Sequence, residues 1–282
     1  IATNFVQNNP SAIATSGTYY IKATNSFGCY EVNPVVVTIN PLPVFTVTNP
    51  AAVCSPNTVN ITNAASIVAG LSYTYWNDIA TNFVQNNPSA IAASGTYYIK
   101  ATNSFGCFII SPVVVTINPL PVFTVTNPAA VCSPNTVNIT NAALGTPGLV
   151  YSYWNDIAAT NGVINASAIP ASGTYYIKAT NSYVCSTINP VVVVINPLPT
   201  ATITGTNNFV VCQNGTQPVV TFTGSNGTAP YIFRYQIIGD PFVYNVPSSG
   251  TTNNASVTLP IATAGNYTVT LISVQDSSSS AC

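Results

Sequence analysis

A repeat of 78 residues is the feature that most constrains how this chain can fold. Cys29, Cys107 and Cys185 are separated by that period, and residues 40–65 are identical to residues 118–143. A unit of this length is too long for one turn of a solenoid and fits a small domain with its own core. The sequence therefore predicts tandem domains: residues 1–40 as the rear half of a repeat, 41–118 and 119–196 as complete repeats, and 197–282 as a divergent repeat that lacks its last strand.

The first repeat, residues 1–40, contains only the rear half of the 78-residue repeat. Residues 1–6 correspond to a middle strand, 18–24 to the central strand and 35–39 to the closing strand of a complete repeat. Half a sandwich cannot bury its apolar face alone. We therefore expect the natural protein to extend upstream.

Short strands separated by turn signals fill each repeat. Residues 96–102 are rich in β-branched and aromatic side chains, with Gly95 before them and a turn at residues 103–106 after them. About seven such strands at spacings of about 8–12 residues, with no helical period, predict an all-β fold of tandem Ig-like Greek-key β-sandwich domains. The Asn-Pro-Leu-Pro joints at 40–43, 118–121 and 196–199 favour extended backbone, so we expect an elongated, stiff rod.

The composition excludes several function classes. Only 4 Lys and Arg residues oppose 5 Asp and Glu residues, so no basic patch exists for nucleic acid. No apolar run approaches the roughly 18–20 residues of a membrane span. With no histidine and a single aspartate in each central repeat, His-activated nucleophiles and paired carboxylates are absent. The sequence predicts no enzyme activity, no metal site and no cofactor.

The cysteines indicate an oxidising compartment and leave two pairings open. One cysteine opens and one closes each domain, which favours the bonds Cys54–Cys107, Cys132–Cys185 and Cys212–Cys282 within domains. Closing a loop of about 50 residues stabilises a small domain by about 4 kcal/mol. Cys29 would then pair with a cysteine before residue 1. The rival scheme spans the joints, with bonds Cys29–Cys54, Cys107–Cys132 and Cys185–Cys212.

Aromatic side chains of the central strands give the candidate ligand surface. Tyr97 and Tyr98 must point to opposite faces of their strand, and we expect Tyr97 in the core and Tyr98 outside. The candidate surface for stacking a sugar comprises Tyr98, Lys100, Tyr176 and Lys178, although outward tyrosines also simply cover a sheet. Asp78 and Asp156 precede these lysines by 22 residues and are expected to be solvated or paired surface charges. Trp76 and Trp154 are expected to fill the sandwich cores.

Several motifs together resemble a known group of bacterial repeats. The early cysteine, Tyr-Trp-Asn-Asp at 75–78, Ser-Gly-Thr-Tyr-Tyr-Ile-Lys-Ala-Thr-Asn at 94–103, Gly-Cys at 106–107 and Asn-Pro-Leu-Pro at 118–121 resemble Ig-like repeats of large Bacteroidota surface proteins, found beside gliding-motility-associated C-terminal domains. The last unit, with Cys-Gln-Asn-Gly-Thr at 212–216, resembles the PKD-like repeats of the same proteins. The resemblance implies type IX secretion and display at the cell surface, sometimes as adhesins, and assigns no catalytic residue.

These observations predict a non-enzymatic structural segment, the stalk of a long secreted cell-surface adhesin or extracellular filament. The alternatives are a carbohydrate-binding repeat array and accessory repeats of a large secreted enzyme. Expected partners are neighbouring repeats of the same chain, identical chains in a fibre, and surface glycans. The expected location is extracellular, at the cell surface.

Overall fold

The computed structural model describes residue 6 and residues 9–205, 211–260, 262–263 and 266–282. The predicted strand at residues 1–6 therefore lies almost wholly outside the described residues. Within them every regular element is a β-strand, twenty in all, and none is an α-helix. None of the described segments is a helix long and apolar enough to cross a membrane. The chain divides into two compact units, Ile1–Pro119 and Leu120–Cys282.

The first unit contains seven strands, which we number in chain order. They are β1 (Gly17–Thr24), β2 (Tyr30–Val37), β3 (Val53–Cys54), β4 (Ser72–Trp76), β5 (Gly95–Thr102), β6 (Phe108–Val115) and β7 (Ile117–Asn118). Strands β4, β5 and β6 form an antiparallel sheet in that order, and β1 pairs with β2 as a separate hairpin. The short strands β3 and β7 pair in parallel, with Cys54 opposite Asn118.

The complete repeat of the first unit is a two-layer sandwich. Alternation along β5 and β6 sends Ile99, Val113 and Val115 to the inner face of the sheet, where they are almost fully buried. They pack against Val59 and Ile61 of the opposite layer. That layer is held by antiparallel bridges such as the one between Val59 and Ile91. The arrangement is that of an Ig-like β-sandwich.

The hairpin of β1 and β2 has the register of β5 and β6, and none of the described residues forms a layer opposite it. Its inner-face residues Ile21 and Val35 are 63% and 40% exposed. Ser16 fixes the hairpin to the following segment, since its hydroxyl accepts from the Ile39 amide at 2.9 Å. Ser94 makes the same bond to Ile117 at 2.8 Å. The hairpin is therefore specified locally, and it has no buried core within the described part of the chain.

The second unit contains thirteen strands. They are β8 (Phe123–Val125), β9 (Val131–Cys132), β10 (Ala143–Gly145), β11 (Val150–Trp154), β12 (Gly173–Thr180), β13 (Ser186–Val193), β14 (Ile195–Asn196), β15 (Thr200–Thr204), β16 (Val219–Ser225), β17 (Ile232–Ile237), β18 (Val243–Pro247), β19 (Asn254–Thr258) and β20 (Val269–Gln275). The sheets are β11-β12-β13, β15-β16-β19 and β18-β17-β20, with two-stranded pairs β8-β10 and β9-β14.

Two separate cores occupy the second unit. One surrounds Ile139, Ile177 and Val191 and repeats the core of the first unit. The other lies between the sheets of residues 200–275, where the Phe222 and Phe233 rings stack with centroids 5.6 Å apart. Each core is formed within one stretch of about 75 residues, as expected for domains that fold around their own apolar side chains.

Some predicted strands are shorter or shifted. Residues 79–84, the equivalent in the complete repeat of the middle strand predicted at 1–6, form a loop, in which Thr81 has a left-handed backbone (φ 55°) and only Val84 bridges to the sheet. In the last unit the strand that follows Tyr267 begins at Val269, and residues 264–265 lie outside the described part of the chain. In the first of these segments the Asp78 carboxylate accepts from the Asn82 amide, a local bond that competes with strand pairing.

Candidate functional site

The two cysteines of a complete repeat lie at opposite ends of the sandwich. Cys54 is placed by β3 beside Asn118, at the end where the chain leaves the repeat. Cys107 lies in the turn between β5 and β6, with its sulfur 3.9 Å from the carbonyl oxygen of Asn40, at the end where the chain enters. In the same turn Asn103 Nδ2 donates to the carbonyl oxygen of Pro41 at 2.8 Å. A disulfide requires Cα atoms within about 7 Å, so these two cysteines cannot bond to each other.

A disulfide between Cys132 and Cys282 therefore crosses the joint between two domains. The bond has a Cα–Cα distance of 5.6 Å and a sequence separation of 150. Cys132 lies on β9 opposite Asn196, the first residue of the joint. Asn196 Nδ2 donates to the hydroxyl of Ser280 at 2.7 Å, which holds the chain segment bearing Cys282 against the joint.

Both predicted pairing schemes are wrong. Cys132 bonds Cys282, which excludes Cys132–Cys185, Cys212–Cys282 and the rival Cys107–Cys132. Cys29, Cys107 and Cys212 are free thiols, which excludes the other predicted bonds, while Cys54 and Cys185 are disulfide-bonded. Spacing within a repeat was a poor guide, because the two cysteines belong to opposite ends of the domain. Cys132, which opens its domain, bonds Cys282, which closes the next.

The turn that carries the closing cysteine is common to the last unit and the complete repeats. The Asn103 amide donates to the Cys107 carbonyl oxygen at 3.0 Å, and the Asp276 amide donates to the Cys282 carbonyl oxygen at the same distance. Cys282 is thus the structural equivalent of Cys107. Burial opposes ionisation of Asp276, but bonds from the Thr228 amide and Ser278 outweigh it and lower the pKa of this carboxyl group.

The outer face of the β4-β5-β6 sheet carries the predicted ligand surface. Tyr98 and Lys100 lie side by side on β5 and are half-buried, while Tyr97 packs against the core. Lys100 Nζ lies 4.0 Å from the centroid of the Phe108 ring, a cation–π contact across the hairpin. Tyr176 and Lys178 occupy the same positions on β12.

The tryptophans lie on this outer face, so the prediction that they fill the sandwich cores is wrong. Trp76 stands directly opposite Tyr98 in the sheet register, and Trp154 stands opposite Tyr176. Because neighbours across a sheet share a face, each tryptophan extends the outer aromatic surface. The Trp76 indole N–H donates to the Thr74 hydroxyl at 2.9 Å. The inward positions of the strand are taken by tyrosines, and burial raises the pKa of Tyr75, with a further contribution from Tyr73.

The aspartates beside these strands close loops. Asp78 Oδ1 accepts from the Asn82 amide at 2.9 Å, and Asp156 accepts from the Thr160 and Asn161 amides. Desolvation opposes the ionisation of Asp156, but these amide bonds outweigh it and lower its pKa. The carboxylates therefore order the loop next to the aromatic face. In the part of the chain that the structure describes, no three His, Cys, Asp or Glu residues cluster as a metal site would require.

The sequence matches no protein-family model. It also matches no curated protein. Solved structures with a similar arrangement include the I-band fragment I67–I69 of titin, at 12% identity and a TM-score of 0.38, where 81% of this chain and 92% of that chain are covered. The eight N-terminal Ig domains of Down Syndrome Cell Adhesion Molecule give 14% identity and a TM-score of 0.36, covering 94% of this chain and 44% of that chain. Sidekick-1 immunoglobulin domains 1–5 give 14% identity and a TM-score of 0.29, covering 91% and 63%. We take no function from these neighbours.

Proposed function

We propose that the chain is a non-enzymatic structural segment, the stalk of a long secreted cell-surface adhesin or extracellular filament. The observation that carries the proposal is the disulfide between Cys132 and Cys282, which joins one domain to the next. Disulfides persist in oxidising compartments, so the bond supports an extracellular location. Secretion by the type IX route and a Bacteroidota source rest on the sequence resemblance and belong to the same proposal.

The bond has a mechanical consequence that suits a stalk. A pull applied between residues 132 and 282 runs through the sulfur atoms, because that path is far shorter than the backbone between them. The domain material inside the loop is shielded from tension. The proline joint at 196–199 lies inside this loop, whereas those at 40–43 and 118–121 lie on the backbone before Cys132, where they favour extended backbone and leave little slack.

Single-molecule pulling tests the proposal. The chain is held near residue 6 and at Cys282 and stretched with and without a reductant. We expect reduction to add tens of nanometres of extension, since each released residue contributes about 3.5 Å. The variant Cys132→Ser is expected to extend further than the wild type without reductant. Equal extension under all conditions would contradict the proposal that the bond carries tension.

A carbohydrate-binding array is the second candidate function, and the position of Trp76 favours it. The Trp76 indole lies opposite Tyr98 on the face that also carries Lys100. Together these side chains offer aromatic surface on which a sugar can stack and a polar group that can bind it. This candidate predicts saturable glycan binding that is lost in a Tyr98→Ala, Tyr176→Ala double variant. A Tyr97→Phe variant, changed on the inner side of the same strand, is the matched control. A glycan panel without saturable binding leaves the stalk proposal standing alone.

A further inference from the structure

The uncovered hairpin of β1 and β2 and the thiol of Cys107 lie in the same unit and point to the same partner. In the complete repeat, Ile99 and Val113 are 0% exposed because the front half of the repeat covers them. Ile21 and Val35 occupy the equivalent positions of the hairpin and are left open. An apolar inner face of this kind gains free energy when a matching layer covers it.

The repeat itself shows what fits that face. The layer over β5 and β6 is built from Val59 and Ile61, with the partly buried Phe45 and Val47 packed against the cluster. Ile91, which completes the layer, has its equivalent in the described Ile13. Among the described residues, none covers the hairpin as residues 43–78 cover β5 and β6, so the segment that fits its face has the sequence character of residues 43–78.

Cys107 independently indicates the same segment. A front half seated on the hairpin would place its opening cysteine beside Asn40, as Cys54 lies beside Asn118 and Cys132 beside Asn196. The Cys107 sulfur already lies 3.9 Å from the Asn40 carbonyl oxygen. The equivalent closing cysteine, Cys282, is bonded to an opening cysteine in the same relation.

We propose that the β1–β2 hairpin and Cys107 together form a receiving site for the front half of a repeat of this type. The segment covers Ile21 and Val35, and its cysteine bonds Cys107. The two thiols lose two protons and two electrons, which a disulfide-form thiol oxidoreductase accepts as it is reduced to a dithiol. The inference goes beyond the stalk proposal, because it holds whether the assembled array is a spacer or an adhesive surface.

A peptide with the sequence of residues 43–78 tests the site on the whole 282-residue chain. Its cysteine is supplied as a mixed disulfide with glutathione, so attack by the Cys107 thiolate forms the peptide–Cys107 disulfide and releases glutathione thiolate. No net oxidation is needed. We expect the adduct at Cys107 in about tenfold preference over Cys29 and Cys212, as a docking advantage of about 1.4 kcal/mol would give.

The free thiols make the outcome decisive. Cys29 and Cys212 are exposed, whereas Cys107 is partly covered, so reaction governed by accessibility alone would favour the other two. An adduct distributed by exposure, or no adduct at all, would overturn the proposal.

Two variants separate docking from simple reactivity. Changing the peptide at the residues that correspond to Val59 and Ile61, each to Asp, is expected to lower the Cys107 adduct about tenfold while the chain itself is unaltered. Ile21→Asp in the chain should do the same without changing the labelling of Cys107 by iodoacetamide. A peptide with its cysteine replaced by serine should slow amide exchange in the β1–β2 hairpin. Unchanged exchange and unchanged adduct in these tests would also overturn the proposal.

Discussion

Strands β1 and β5 have the same eight-residue sequence, Gly-Thr-Tyr-Tyr-Ile-Lys-Ala-Thr, and opposite surroundings. Each forms an antiparallel hairpin in the same register. Ile21 is 63% exposed, whereas Ile99 is fully buried. The comparison shows that the local sequence specifies the hairpin, while burial of its inner face depends on residues about 40 positions earlier in the chain.

Truncating the central isoleucine to alanine should give the largest difference in stability between the two hairpins. Ile99→Ala leaves a cavity in the core and is expected to destabilise its domain by about 3 kcal/mol, with Ile177→Ala as the parallel case. Ile21→Ala removes an exposed side chain and should change stability by less than about 0.5 kcal/mol. Urea titration with hydrogen exchange read separately on each hairpin measures both. Comparable losses at Ile21 and Ile99 would mean that the first hairpin is covered in solution.

The turn at the end of each hairpin is the second point of comparison. Val184 has a left-handed backbone (φ 64°) where the first complete repeat has Gly106 (φ 82°). That conformation costs a β-branched residue about 1–2 kcal/mol, partly offset by the larger entropy that glycine loses on folding. We expect Val184→Gly to stabilise its domain by about 0.5–1 kcal/mol and Gly106→Val to destabilise the other by a similar amount.

Calorimetry on the two variants decides this prediction. An added Cβ at Gly106 meets no atom within 4 Å, so any loss of stability there comes from the backbone and not from a clash. Gly28 offers the same test on the uncovered hairpin. If its replacement by Val changes hairpin exchange as Gly106→Val does, the turn acts independently of the core.

Acid should destabilise the closing turn of the last unit, residues 276–282, but not the closing turns of the complete repeats. Asp276 replaces the asparagine of the repeats, and its pKa is lowered in the folded chain. A lowered folded pKa means that its stabilising contribution is present above the unfolded pKa and is lost as pH falls through the folded value. We expect the protection factors of amides around residues 276–282, corrected for intrinsic exchange, to fall below about pH 4. The variant Asp276→Asn should give protection factors that do not change over this range.

The smallest effect concerns the outer face, which is open in both hairpins. Lys100→Met keeps the side-chain length and removes the charge over the Phe108 ring, and we expect a loss of about 0.5 kcal/mol. Lys178→Met is the matched control, since Ser186 occupies the position of Phe108 in its hairpin. Lys22 contacts Tyr30 in the same way, so Lys22→Met should weaken the uncovered hairpin to a similar small degree. Equal losses of stability in the Lys100 and Lys178 variants would show that the Phe108 ring does not contribute to the effect.

The sequence was sufficient to predict the all-β Ig-like sandwich and the inward side of the central strands. Alternation places Ile99 inside and Lys100 outside, and this pattern needs no knowledge of distant residues. The disulfides and the tryptophans could not be predicted in this way. Cys54 and Cys107 close one repeat in sequence but lie at its two ends in space. Trp76 is apolar enough for a core. Neighbouring residues of a strand face opposite sides, however, and in this strand Tyr75 faces inward and Trp76 faces outward.

The Cys132–Cys282 bond closes a covalent ring that contains the joint between two domains. A protease that cuts the exposed joint at Leu198 opens this ring but releases no fragment, because the sulfur atoms still connect the two pieces. A single cut at any other peptide bond between the two cysteines has the same outcome. Detachment requires a second cut or reduction of the bond. The chain therefore tolerates isolated damage along more than half its length.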